Sequence, residues 1–286
     1  MGVKRRVKLP AFNGLAASST ATVDIPVGPR YHQIILSGDN AASKTAITDH
    51  LNEIRLKVNG KVQRVFTADE LNKLNTLNGS QYGIQGNSSG GLFQLPIFFA
   101  EPWRKTVQAQ EGLAWGTGDV ASFQMEVDIK SSAPDSLYAV AIVDNSIVQD
   151  TKGNSIQQPM GLITKWFRTQ VPYVGTQADF SGFPKRDFYQ QIDFFDANLS
   201  RLLVKVDNNV IHDLLIEENN AVLTNQGMTA VTSRYDLVFD HDDLLNSSLP
   251  MVFNGQKVAD FYFQLFSATT TARNISTIYQ VLGAPE

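Results

Sequence analysis

The chain has 286 residues, 43% of them hydrophobic and 18% charged, and a formal net charge of −4. That is a globular composition with room for two ordinary domains, and no apolar run reaches the roughly 18 residues that a membrane-spanning helix needs. Cysteine is absent, which excludes disulfides, thiolate metal sites and cysteine nucleophiles.

At the N-terminus Lys4, Arg5, Arg6 and Lys8 form a basic start with no apolar stretch behind it, unlike a secretory leader. We read 1–18 as a basic arm. Beyond it, short alternating segments bounded by Gly, Asn, Asp, Ser and Pro predict strands near 21–25, 32–37, 53–58, 62–66, 92–99, 113–115, 122–129 and 137–143. A helix is predicted over 67–74, where Thr67 caps the first turn, Glu70 completes a capping box, and Leu71 and Leu74 supply the apolar stripe. The glycine-rich stretch from Gly79 to Gly91 reads as an exposed loop. Residues 148–161 are polar and read as a linker between a first domain at 19–147 and a second at 162–286. In the second half strands are predicted near 163–171, 189–195, 202–206, 233–239, 251–253, 261–266 and 277–282, with a helix over 211–223.

The halves repeat one another. Tyr31-His32-Gln33-Ile34-Ile35 matches Tyr189-Gln190-Gln191-Ile192-Asp193, Leu56-Lys57-Val58-Asn59-Gly60 matches Val204-Lys205-Val206-Asp207-Asn208, and Val120-Ala121-Ser122-Phe123 matches Val258-Ala259-Asp260-Phe261. The offsets drift from 158 through 148 to 138, as loop-length changes after a tandem duplication would make them. Gly60 and Asn208 take turn positions that favour positive φ. The implied fold is all-β: two tandem eight-stranded jelly-roll barrels, each with a short helix after the fourth-strand region.

Chemical motifs are weak. Gly86-Asn87-Ser88-Ser89-Gly90 fits the G-x-S-x-G spacing but leads into a strand, where a nucleophile elbow needs a following helix. Gly116-Thr117-Gly118-Asp119-Val120-Ala121 fits a dinucleotide fingerprint, again without the helix whose N-terminus would hold a phosphate. Asp236, Asp240, His241, Asp242 and Asp243 form the densest acidic cluster. It lacks the glycine and glutamate of an EF-hand loop, so it reads as a solvated loop; if calcium binds, Asp240, Asp242 and Asp243 are its ligands. The four histidines show no zinc spacing. With no acid–base pair or nucleophile signature, the sequence points to binding or assembly rather than catalysis.

The segments Ile25-Pro26-Val27-Gly28-Pro29-Arg30-Tyr31, Ile54-Arg55-Leu56-Lys57-Val58-Asn59-Gly60-Lys61, Trp166-Phe167-Arg168 and Val204-Lys205-Val206-Asp207 resemble, in order, the double jelly-roll major capsid proteins of membrane-containing icosahedral viruses. The corticovirus type is the nearest likeness. The Gly79–Gly91 loop and the tail Gly283-Ala284-Pro285-Glu286 depart from its pattern. The resemblance implies a homotrimeric, pseudo-hexagonal capsomer in the virion shell, made in the host cytoplasm. It would abut neighbouring capsomers, a vertex penton protein, and a membrane or its proteins, with no sequence-specific nucleic-acid binding and no cofactor. Lys4, Arg5, Arg6 and Lys8 would then face the inner membrane or genome. The rival is a double jelly-roll glycan-binding protein or a glycoamidase-like hydrolase, for which Trp103, Trp115 and Trp166 are too scattered.

Overall fold

A computed structural model describes residues 3–39, 49–86, 92–242, 244–253 and 255–286. The chain divides into two units, the first comprising residues 1–165 with 284–286 and the second 166–283.

In the first unit the strands are β1 (Arg5–Lys8), β2 (Thr20–Ile25), β3 (Arg30–Asp39), β4 (Leu51–Val58), β5 (Lys61–Thr67), β6 (Leu92–Phe98), β7 (Phe123–Ile129) and β8 (Ser136–Asp144). Helix α1 (Ala68–Leu77) follows β5, and the short α2 (Val107–Gly112) follows β6. One sheet runs β1-β8-β3-β6 and the other carries β2-β7-β4-β5. Eight strands numbered in chain order and paired 1-8-3-6 and 2-7-4-5 make a jelly roll. The pleat explains the packing: Ala21, Val23 and Ile25 on β2, and Phe123, Met125, Val127 and Ile129 on β7, alternate inward and are buried. Around them Tyr31, Phe99, Trp115 and Phe123 pack as an aromatic cluster.

The second unit repeats the scheme with β9 (Ile163–Tyr173), β10 (Gln177–Phe180), β11 (Phe188–Phe195), β12 (Leu199–Val206), β13 (Asn209–Leu215), β14 (Tyr235–Val238), β15 (Phe261–Ser267) and β16 (Arg273–Gly283). Its pairings are β9-β16-β11-β14 and β10-β15-β12-β13, with helix α3 (Ile216–Asn225) after β13. The order is again 1-8-3-6 and 2-7-4-5. Phe183 sits at the centre of this core, against Tyr189, Phe261, Phe263 and Tyr279.

Several sequence expectations change. The first barrel is completed by its first strand, the basic segment Arg5–Lys8, and not by 113–115, where only Trp115–Gly116 bridges to β3. Arm 1–18 therefore contributes to the sheet, and the helix follows the fifth strand of each barrel. The helix expected over 211–223 begins at Ile216, because the chain first runs back along β12 as β13. Residues 251–253 are no core strand: Val252–Phe253 pairs only with Gln256–Lys257, and β10 completes the barrel instead. The linker stretch contains a hairpin, Ile147–Gln149 against Ser155–Gln157. It is held to the first unit by Gly118 N donating to Gln158 O at 3.0 Å and by Met160 N to the Asp119 carboxylate at 2.7 Å.

The duplication extends to single atoms. Asn59 and Gly60, like Asp207 and Asn208, have positive φ. Asn59 Oδ1 accepts from the N–H groups of Ala121 and Ser122, and Asp207 Oδ1 from those of Ala259 and Asp260. The same one-residue bulge follows each turn, leaving Gln63 and Ile211 opposite no partner. The phenols of Tyr31 and Tyr189 donate to the carbonyls of Pro26 and Pro184, each five residues upstream.

Candidate functional site

The basic N-terminal residues are largely engaged. β1 pairs with β8 from Arg5 opposite Val143 to Lys8 opposite Val140, and Arg5 Nη2 donates to Asn145 Oδ1 at 2.7 Å. Lys4 Nζ lies 2.7 Å from Glu111 Oε1 on α2. Arg30 Nη2 reaches Glu111 Oε2 at 3.1 Å and Asp144 Oδ2 at 2.6 Å, and His32 Nε2 meets the same Asp144 oxygen at 2.8 Å. A line of charge thus ties β1 through α2 to β3 and β8. The hydrogen bond from Lys4 holds the Glu111 carboxyl below the usual range. Burial alone would raise Asp144, but Arg30 and His32 outweigh it and hold that carboxyl down as well. For His32 burial outweighs Asp144 and lowers the imidazole. A 170 Å³ cleft beside this line is bordered by Lys4, His32, Phe98, Pro102, Glu111 and Ile142. None of these side chains is an activated nucleophile, so the charges serve to fasten the edge strand.

The described members of the acidic cluster do not converge. Asp240 is buried and accepts from Gln190 Nε2 at 3.3 Å. The Asp242 carboxylate accepts from Leu244 N at 3.1 Å and from Ser247 Oγ at 2.7 Å, closing its own loop. Asp243 lies outside the described residues. Among the described residues no group of three His, Cys, Asp or Glu could hold a metal ion.

Residues 87–90 of the G-x-S-x-G match lie outside the described residues. Nearer Gly79, Ser80–Tyr82 forms a helical turn, and Tyr82 packs edge-on against Phe98 and Trp103. The 116–121 segment is a turn, with Val120 N donating to Thr117 O at 3.3 Å.

Sequence reasoning missed a buried charged group in the second unit. Asp193 and Asp236 stand opposite one another on β11 and β14, both wholly buried. Gln191 Nε2 donates to Asp193 at 2.6 Å and Arg234 Nε to Asp236 at 2.5 Å. Burial and the neighbouring Asp236 charge push the Asp193 carboxyl well up. The sequence shows only an acidic residue within each strand; that the two face one another is set by register.

The chain is built mainly of strands, in two copies of one barrel topology. Comparison with known families supplies what it is for: the model described as viral coat protein P2 N-terminal domain matches residues 6–145, and that of the viral coat protein P2 C-terminal domain matches 163–285. The chain belongs to the viral coat protein P2 family. No curated protein sequence matches it. Among solved structures, the major capsid protein P2 of bacteriophage PM2 superposes with a TM-score of 0.81 at 17% identity, covering 99% of this chain and 98% of that one. The major capsid protein of Sulfolobus turreted icosahedral virus gives 0.68 at 11% identity, covering 99% and 98%. VP54 of PBCV-1 gives 0.67 at 11%, covering 99% and 96%. The matched family makes this a viral coat protein, a component of the virion shell, and the superposed structures share its double jelly-roll fold. The glycan-binding or glycoamidase alternative finds no support among these matches.

Proposed function

We propose that this coat protein acts as a homotrimer whose six jelly rolls give a pseudo-hexagonal capsomer, tiling an icosahedral shell over an internal lipid membrane. The observation that carries the reading is the repetition of one barrel topology, 1-8-3-6 and 2-7-4-5, in both units of one chain. Three such chains fill a six-cornered position, while the two barrels remain free to differ at their contacts. The protein works without catalysis or cofactor, is made in the host cytoplasm, and meets neighbouring capsomers and a vertex penton protein in the shell. Arg6 and Lys8 are exposed, and with Lys4 and Arg5 they form the cationic surface offered to the membrane or genome.

Light scattering on the purified chain tests the oligomer directly: a mass of three chains is expected, and a monomer at virion-like concentration overturns it. For the membrane, Arg6→Gln with Lys8→Gln is expected to weaken cosedimentation with anionic vesicles and to leave the trimer mass unchanged. Equal vesicle binding by the variant and the parent removes the membrane role.

A further inference from the structure

The fifth strands of the two barrels have the same partners on one side and different surroundings on the other. β5 lies next to β4 and, on its far side, next to the opening residues of β9, which belong to the first unit. There Arg64 Nε donates to Thr164 O at 2.8 Å, and Gln63 and Arg64 are buried. β13 lies next to β12 and, among the described residues, has no strand on its far side. Its side chains are uncovered: Val210 is 54% exposed, Ile211 42% and Leu215 45%. A bare strand edge with apolar side chains invites pairing.

The repeat identifies what covers it. β9 is the first strand of the second barrel, and its counterpart in the first barrel is β1. The 158-residue offset of Tyr31 and Tyr189 sets Ile163–Lys165 on Arg5-Arg6-Val7, and the matched bulges set Gln63 on Ile211 and Arg64 on His212. β1 has β8 on one side and, among the described residues, none on the other. The two open edges are therefore the two halves of a junction that the chain already makes once.

We propose that β1 of one copy docks on β13 of the next, adding a strand there as the start of β9 does on β5. Round a ring the fifth strand of each barrel is then covered once, alternately by its own chain and by the next, and the head-to-tail contact closes. The inference rests on the ring-shaped oligomer proposed above and names the contact that holds it together.

Because the chain lacks cysteine, the double variant Arg6→Cys with Ile211→Cys provides a clean cross-link. On oxidation of the assembled oligomer, a covalent ladder is expected on non-reducing gels, ending at the subunit number and collapsing with reductant. The pair Arg6→Cys with Asp179→Cys, on β10 at the opposite edge of the same sheet, is expected to give none. An intact oligomer without the first ladder, or with equal ladders from both pairs, overturns the junction and leaves the oligomer standing. Hydrogen exchange on the parent protein covers the case in which the cysteines block assembly. Amides of 5–8 and 209–215 are expected to exchange more slowly in the oligomer than in the diluted monomer, and unchanged exchange overturns the junction. A parent chain that never leaves the monomer fails at the oligomer instead.

Discussion

β5 and β13 have the same place in their barrels, the same preceding turn and the same bulge, yet one is an interior strand and the other an edge. In β5 the interior position is occupied by a charge: Arg64 is fully buried, its guanidinium lowered to about 9 by desolvation. It donates to the carbonyls of Thr164 and Phe98 and lies over the rings of Phe99 and Trp115. In β13 the matching residue is His212, whose Nε2 meets the Tyr235 hydroxyl at 2.8 Å. Duplicated backbones hold equivalent geometry; what each strand touches decides whether its side chains cost or contribute stability.

The widest separation of the two strands is expected from truncation. Arg64→Ala strands two buried carbonyls and empties the space between two aromatic rings, at a cost of about 3–5 kcal/mol. His212→Ala, which loses one hydrogen bond, is expected to cost about 1 kcal/mol. Chemical denaturation of both variants checks the ratio, and equal losses would erase the distinction.

Acid provides the second test. Burial lowers His212 to about 4 from its ordinary 6.5, so between those values the unfolded chain binds the proton and the folded one does not. The stability held above pH 6.5 is therefore lost as pH falls toward 4, by about 2 kcal/mol after allowing for partial exposure. His212→Gln is expected to flatten that part of the pH profile of the denaturation midpoint, whereas β5 has no titrating counterpart in this range.

The turns sharpen the likeness rather than the contrast. Asn59→Ala and Asp207→Ala each lose two backbone hydrogen bonds and place alanine at positive φ. Similar costs of about 1–2 kcal/mol are expected from both, by calorimetry. The smallest effect concerns the helix caps. Thr67 and Glu70 form a reciprocal capping box on α1, but at α3 only half survives, with Leu215 N donating to Glu218 at 2.9 Å. Leu215→Thr restores the missing acceptor and is expected to stabilise the isolated chain by about 0.5–1 kcal/mol. The same change removes an apolar side chain from the β13 edge, so sedimentation is expected to show weaker assembly.

Most of the architecture was legible because core strands alternate strictly, as in Phe123-Gln124-Met125-Glu126-Val127. What escaped were strands whose side chains carry no such signal. Arg5–Lys8 is polar because it is an edge, and polarity reads as a disordered arm. Asn209–Leu215 runs apolar residues together with His212 and Asp213, and the helix that follows lent it a helical period. Gln177–Phe180 is only four residues long. The acidic loop misled for a related reason: spacing does not reveal that Asp240 points inward to Gln190 while Asp242 folds back on Ser247. The buried pair Asp193 and Asp236 was illegible because register, which sets them face to face, is a property of two strands and not of either alone.

The phenols of Tyr31 and Tyr189, buried against the Pro26 and Pro184 carbonyls, are both raised above the ordinary tyrosine value by desolvation. Each barrel therefore carries a silent chromophore. Near pH ~10, where a free phenol ionises, each ring stays protonated while its barrel is closed and gains phenolate absorbance once water reaches it. Opening of either barrel becomes visible in the ultraviolet without a label, and replacing Tyr31 or Tyr189 with phenylalanine assigns the lost part of the signal to its barrel.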